Sequence, residues 1–296
     1  VNNERGHTLG GSDAAAAIGV SPWKTPLQLF EEKLGLAPPQ PETPAMRWGK
    51  LLENAVRQHY CALTGAILRE PNGTLIHPHF GWMSANLDGL TDTGRVLEVK
   101  TARSGDDWGE PGTDQIPTYY VPQVMHYLAV TRAQYVDVAA LIAGHDFRLY
   151  TLERDEELIE ALIEAEEEFW RHVMTATPPD PVNLQDVNRL WRRDAGSSIE
   201  ATEPLLFAVR ELAAAKNRTL RAQEEEERLE FDIKKFMGDA AQLTYHNRTL
   251  ISWRTNRDKT PVDWKAMKRD HPEWIAQYEL PNVAGNRPFL IKETPA

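Results

Sequence analysis

The amino-acid sequence predicts a mixed α/β protein of the α+β kind, with a helical accessory region towards its C-terminal side. Three observations predict it. Residues 45–63 and 153–175 repeat apolar side chains at helical spacing. Between them lie short, turn-bounded runs with strand character. A proline-rich stretch, Thr177-Pro178-Pro179-Asp180-Pro181, then separates this part from a charge-rich segment of different composition.

The elements follow in order. Ser12-Asp13 ahead of residues 14–18 reads as a capped, short helix. Thr25-Pro26 opens a second, with Leu27, Phe30 and Leu34 on one face and Gly35 as its stop. Residues 37–44 hold four prolines and read as loop. Residues 45–63 form a strong helix with Trp48, Leu51, Leu52, Ala55, Val56 and Tyr60 along one side, closed by Gly65. The period then changes, and 66–69, 74–77, 82–87 and 95–101 read as strands. Residues 121–130 return to helix. Runs 135–142 and 147–152 form a hairpin through Gly144-His145-Asp146. An acidic helix follows to about residue 175, its stripe made by Leu158, Leu162 and Phe169 with the glutamates facing water. These elements make one domain over 1–176, with 177–202 as linker. The accessory region, 203–296, starts with a long helix over 203–236, broken once near 224–227. A small hairpin flanks Asn247, a short helix covers 262–270, and the tail carries Phe289 and Leu290.

Composition narrows the class. The chain has 296 residues, 41% apolar and 26% charged, enough to bury a core. Its formal net charge of −11 argues against a protein that coats nucleic acid by bulk charge. That charge is unevenly spread: −1 over residues 1–100, −11 over 101–200 and +1 over 201–296. Residues 248–269 carry seven basic side chains, a stretch able to meet phosphate or to stay inert. Cys61 is the single cysteine, which excludes a disulfide framework, a four-cysteine zinc site and a cysteine-ligated iron–sulfur cluster. No apolar run approaches the roughly 18 residues of a membrane span, and residues 1–11 lack the apolar region of a secretory signal. The expectation is a cytoplasmic protein without membrane contact.

The sharpest chemical signal is Leu97-Glu98-Val99-Lys100-Thr101. On a strand, Glu98 and Lys100 share one face while Leu97 and Val99 take the other. Asp88, ten residues upstream, ends one strand, Gly89 permits a turn, and the hairpin return can bring Glu98 beside it. Two converging carboxylates make a hard oxygen site suited to Mg²⁺ or Mn²⁺. Such an ion holds a phosphate oxygen and acidifies a bound water. Glu53, on the 45–63 helix, is either a helix-edge charge or an inward third carboxylate. Gln123 and Tyr127, four apart on the next helix, share a face, and form either a polar edge or part of the same site.

In chain order these pieces resemble the YqaJ-like phage-type nucleases, relatives of lambda exonuclease in the PD-(D/E)xK superfamily. The motifs are Gly10-Gly11-Ser12-Asp13-Ala14-Ala15-Ala16, Ser21-Pro22-Trp23-Lys24-Thr25-Pro26, Gly49-Lys50-Leu51-Leu52-Glu53, Leu87-Asp88-Gly89, Glu98-Val99-Lys100-Thr101, Trp108-Gly109-Glu110 through Asp114, and Gln123-Val124 through Thr131. The resemblance spans residues 5–173. It implies a restriction-endonuclease-like core, a mixed central sheet flanked by helices. It implies Asp88 and Glu98 as metal ligands, Glu53 as a helper carboxylate, Lys100 as the catalytic lysine and Gln123 as the motif glutamine, with Tyr127 in support. Arg5 and Ser12 take the place of a 5′-phosphate pocket. The implied activity is Mg²⁺-dependent hydrolysis of DNA, 5′-to-3′ on duplex ends, by a homo-oligomer such as a trimeric ring working with a single-strand-annealing recombinase. An endonuclease of the same fold, and an inactive DNA- or protein-binding module, are the alternatives.

Overall fold

The computed structural model describes residues 8–37, 41–69, 73–258, 260–277 and 287–292. The chain divides into two compact units, Val1–Leu190 and Trp191–Ala296.

In the first unit, β1 (Leu9–Gly10) leads directly into α1 (Gly11–Ala17), and α2 (Pro26–Lys33) starts on a Thr25 side chain that accepts the Gln28 N–H. α3 (Pro44–Thr64) starts on Thr43, which caps it in the same way, and ends at Gly65 in the left-handed region (φ 73°). Five short strands follow: β2 (Leu68–Arg69), β3 (Leu75–Ile76), β4 (Met83–Ala85), β5 (Gly89–Thr91) and β6 (Val96–Ala102). A 3₁₀ turn at Thr118–Tyr120 feeds α4 (Val121–Thr131), with Pro122 in its first turn, where a missing N–H does no harm. β7 (Tyr135–Ile142), β8 (Asp146–Glu153), α5 (Glu156–Thr175) and α6 (Leu184–Leu190) complete the unit.

The expected mixed sheet flanked by helices is present. Its order is β2-β5-β6-β7-β8, antiparallel throughout except for the parallel pair β6–β7, and a small second sheet has the order β1-β4-β3. Alternation along β6 divides its side chains. Val96 and Ala102 join the core that includes Val124, Tyr127 and Leu128 of α4. Leu97 and Val99 join the core formed with Val56 and Tyr60 of α3. Glu98 and Lys100 therefore belong to the α4 side.

Several expectations are corrected. The turn read at Gly89 lies at residues 92–94 instead, where Gly94 takes φ 82° and its N–H meets the Thr91 carbonyl. Gly89 itself is in β5, so Asp88 precedes a strand rather than ending one. On α3, Trp48 and Leu51 are exposed, and only Val56 and Tyr60 are buried. Residues 184–190, inside the stretch read as linker, form α6. Its Asp186 is fully buried, accepting from Thr25 Oγ1 at 2.9 Å.

The acidic helix α5 exposes Glu156, Glu157, Glu160, Glu164, Glu167 and Glu168, as the solvent-facing reading expects, and departs from that reading at one glutamate. Leu158 is exposed, whereas Glu166 is fully buried against His126 of α4. His126 Nδ1 lies 2.8 Å from Glu166 Oε1, and Nε2 lies 2.9 Å from the Ser84 carbonyl. Both ring nitrogens thus face oxygens, and the doubly protonated imidazolium donates to the Glu166 carboxylate and the Ser84 carbonyl together. Burial works to lower the His126 pKa, but Glu166 and the Ser84 carbonyl outweigh it and the net direction is upward.

In the second unit, α7 (Glu203–Met237) is one continuous helix without the expected break. The acidic run at 224–227 is tied into it by ion pairs one turn apart: Arg228 with Glu225 and Asp232, and Lys234 with Glu230. β9 (Gln242–Tyr245) and β10 (Arg248–Ser252) form a hairpin turning at His246-Asn247, both at positive φ, as a two-residue turn of the primed type requires. α8 (Trp264–Asp270) and α9 (Pro272–Ala276) follow. Of the seven basic residues in 248–269, the six that are described are exposed; Lys259 lies outside the described residues. Among the described residues no helix is long and apolar enough to cross a membrane.

The buried His126–Glu166 pair makes a prediction. Glu166→Ala leaves a buried imidazolium without its partner and destabilises the protein by about 3–5 kcal/mol. The double replacement His126→Leu, Glu166→Leu recovers most of that loss in chemical denaturation. A double variant no more stable than the single one would show that the pair is not a coupled charge.

Candidate active site

The site is built on the β5–β6 register. Gly89 pairs with Leu97 and Leu90 with Val96, so extending the ladder by one residue sets Asp88 opposite Glu98 on the same face. β5 has ended there, and Asp88 Oδ2 takes the Val99 N–H at 2.7 Å, a bond that a longer strand would have made with its backbone.

Glu98 is only 3% exposed. Its Oε1 accepts from Lys100 Nζ at 2.5 Å and from Gln123 Nε2 at 2.8 Å. Gln123 Oε1 accepts from the same Lys100 Nζ at 2.8 Å, and Gln123 Nε2 also donates to the Tyr127 hydroxyl at 2.9 Å. The amide thus has its oxygen on the cation and its nitrogen on the acid, which closes a three-membered polar circuit. Lys100 Nζ lies 4.6 Å from the centre of the Tyr120 ring, on its face. Behind the circuit, Tyr127 packs on α1. A Cβ added to Gly11 would stand 2.4 Å from that ring, so only glycine lets the helix approach so closely.

The electrostatics are those of a half-satisfied acid. Glu98 Oε2 is buried without a hydrogen-bond partner. Burial above all, with repulsion from Asp88, pushes Glu98 up to about 7 against the pull of Lys100. Burial also raises Asp88, opposed by the Val99 N–H and Lys100. Burial and the field of Glu98 hold the Tyr127 hydroxyl well above its ordinary range.

Asp137, on neighbouring β7, is the contrast. It accepts from Arg95 at 2.8 and 2.5 Å, from Tyr60 at 2.7 Å and from Thr151 at 2.7 Å. Burial works to raise it, and these donors reverse that into a lowered pKa. Two buried acids on adjacent strands thus differ in kind: Asp137 is saturated with donors, whereas Glu98 keeps an oxygen available.

That oxygen, beside Asp88, fits a hard divalent cation, which would take the place of the missing donor. The two carboxylates fit such an ion, but they stand alone. Among the described residues no group of three or more His, Cys, Asp or Glu side chains is placed to hold a metal. Glu53 is the carboxylate that does not join. It is half-buried on α3, one turn from Gly49, whose added Cβ would lie 3.3 Å from Thr101 Oγ1. One turn further along α3, the charge of Arg57 bears on Asp88 and works to lower its pKa. Ser12 is exposed in the first turn of α1, next to Gly11. Arg5 lies outside the described residues.

The structure thus brings together Asp88, Glu98, Lys100, Gln123 and Tyr127. The residue that motif reading missed is Tyr120. The Tyr119-Tyr120 pair ahead of Gln123 was the available signal, because a residue three positions before Gln123 on a helical path returns to the same side.

Two outcomes are expected. Glu98 has a folded pKa above its ordinary value of 4.5, so its contribution to stability is full below that value and is lost as pH rises through about 7. In chelator, wild-type melting temperature should therefore fall relative to Glu98→Gln between acid and mildly alkaline pH; parallel curves would contradict the burial argument. Gly11→Ala forces Tyr127 away from Gln123 and should destabilise by about 1–3 kcal/mol. An unchanged denaturation midpoint would mean that α1 yields freely.

Residues 2–134 match the family model described as a YqaJ-like viral recombinase domain, and the resemblance read from the motifs is borne out over that stretch. The chain is 28% identical over 285 residues to a Bacillus subtilis (strain 168) protein named "Uncharacterized protein YqaJ", an alignment covering 91% of this chain and 87% of that one. Among solved structures, an alkaline exonuclease (LHK-Exo) from Laribacter hongkongensis aligns with TM-score 0.48 and 21% identity, over 59% of this chain and 91% of that one. A putative exonuclease from Eubacterium rectale aligns with TM-score 0.44 and 14% identity, over 68% of this chain and 96% of that one.

Proposed function

We propose that this chain is a metal-dependent deoxyribonuclease, acting 5′-to-3′ on duplex DNA ends in phage-type recombination. The observation that carries the reading is the buried, unpartnered Glu98 Oε2 beside Asp88, with Lys100 and Gln123 locked to the other oxygen of Glu98. A single unsatisfied carboxylate oxygen in an otherwise closed circuit is a place for a cation. The adjoining lysine is a place for the anion that the cation attracts.

In this reading Asp88 and Glu98 hold Mg²⁺ or Mn²⁺. When bound, the ion binds a phosphate oxygen and acidifies a water. Lys100 contributes a fixed positive charge at the scissile phosphate and positions the attacking water. Gln123 keeps Lys100 in place and shares the water, and Tyr127 fixes Gln123 from behind. Two carboxylates suffice for one ion. A helper role for Glu53, towards a second ion or the water, belongs to the same reading. Ser12, with Arg5, is assigned to the 5′-phosphate of the DNA end. Assembly as a homotrimeric ring, and work alongside a single-strand-annealing recombinase, belong to the same reading, as does a nuclease core ending near residue 176 with an accessory region from 203.

The test is digestion of linear duplex DNA bearing 5′-phosphate or 5′-hydroxyl ends, and of circular duplex, in Mg²⁺ and in chelator. Degradation of linear DNA in Mg²⁺ alone, faster from the 5′-phosphate, is expected. Lys100→Ala should lower the rate by about 10²–10⁴-fold while keeping the wild-type circular dichroism spectrum. Full activity in Lys100→Ala, or no cleavage of any DNA with Mg²⁺ or Mn²⁺, would overturn the reading. Cutting of the circle would move the activity to an endonuclease.

A further inference from the structure

An aromatic path leads from Lys100 to the surface. Lys100 Nζ sits over Tyr120. The Tyr120 ring packs edge-on against Tyr119 at 4.6 Å, and Tyr119 packs edge-on against Trp23 at 4.9 Å. Trp23 also lies 6.0 Å from Tyr120 at a shallow angle of 33°. Trp23 comes from the loop between α1 and α2, whereas the tyrosines come from the 3₁₀ turn before α4. Two separate segments thus converge to build this path.

Trp23 nevertheless stays 61% exposed. Its edge contact with Tyr119 and tilted contact with Tyr120 hold the ring, and most of its surface stays open. An indole held rigid with its surface open to water gains little stability for the fold, and it is preorganised for a flat ligand. Trp23 also lines a cleft of about 590 Å³, together with Ser21, Lys24, Gln28, Asn183 and Gln185 among others. That lining is rich in hydroxyl and amide groups able to meet a sugar–phosphate.

We infer that Trp23 and Tyr119 form a stacking platform for a nucleobase next to the scissile phosphate, with the adjoining cleft receiving the rest of that nucleotide. The inference rests on the nuclease reading above, because it takes Lys100 as the place of the phosphate. Stacking on such a ring is tolerant of base identity, since every base presents a π-face. The platform therefore positions the strand without reading its sequence. It also requires the base to be unpaired, which places it at a frayed end rather than inside a duplex.

The experiment uses the full chain in chelator, so that nothing is cut. Fluorescence anisotropy compares labelled oligothymidylate with an abasic strand of equal length and charge. Wild type should bind oligothymidylate about tenfold more tightly. Trp23→Ala should lose that preference, and Trp23→Phe should keep most of it, both with wild-type melting temperature. Tyr119→Ala, which removes the ring that fixes Trp23, should lose the preference in part. Equal binding of the two strands by wild type, or a preference retained in Trp23→Ala, would overturn the platform and leave the exposed ring to a protein partner. The nuclease reading is scored separately by wild-type cleavage in Mg²⁺. Cleavage without base preference removes the platform alone, whereas base preference without cleavage removes the nuclease reading and the platform's place beside a scissile phosphate, leaving a base-stacking surface.

Discussion

A carboxylate buried on a central strand sets the terms for the first unit. Glu98 could have been neutralised by a full set of donors, as Asp137 is one strand away. It receives a lysine and an amide on one oxygen and nothing on the other. Each neighbouring element bears on this imbalance. The early end of β5 gives Asp88 its backbone bond, α4 presents Gln123, and the absence of a side chain at Gly11 lets α1 press Tyr127 into place.

The two faces of β6 carry out different tasks with the same alternation. Towards α3, Tyr60, Arg95, Asp137 and Thr151 form a saturated network of the kind that fixes a fold. Towards α4, the network is left incomplete. Buried polar groups are stabilising when satisfied and reactive when not. The sheet keeps the two kinds apart simply by its period of two.

How much of this could be read in the sequence depended on the range of the interaction. Glu98, Lys100, Gln123 and Tyr127 were legible because strand and helix periods place them two and four apart, a local rule. The long helices α3, α5 and α7 were legible for the same reason. Asp88 was assigned to the correct partner through the wrong turn, since Gly89 and Gly94 are equally good punctuation and only pairing decides between them. β1 and β5, of two and three residues, carry too little pattern to see. Glu166 looked like one more solvated acid in an acidic helix. Its burial depends on His126, 40 residues earlier, and no periodicity reports such a partner.

The parallel pairing of β6 and β7 has a consequence for how the protein acquires its chemistry over time. Val96 meets Val136, 40 residues further along the chain, and the crossover between them contains α4. The chain must therefore close a long loop, with its entropy loss, before Gln123 can reach Lys100. Local hairpins such as β7–β8 can form early, but the polar circuit cannot. A partly folded or nascent chain thus carries all the reactive side chains and none of their arrangement, so chemical competence arrives with the native topology and not before it.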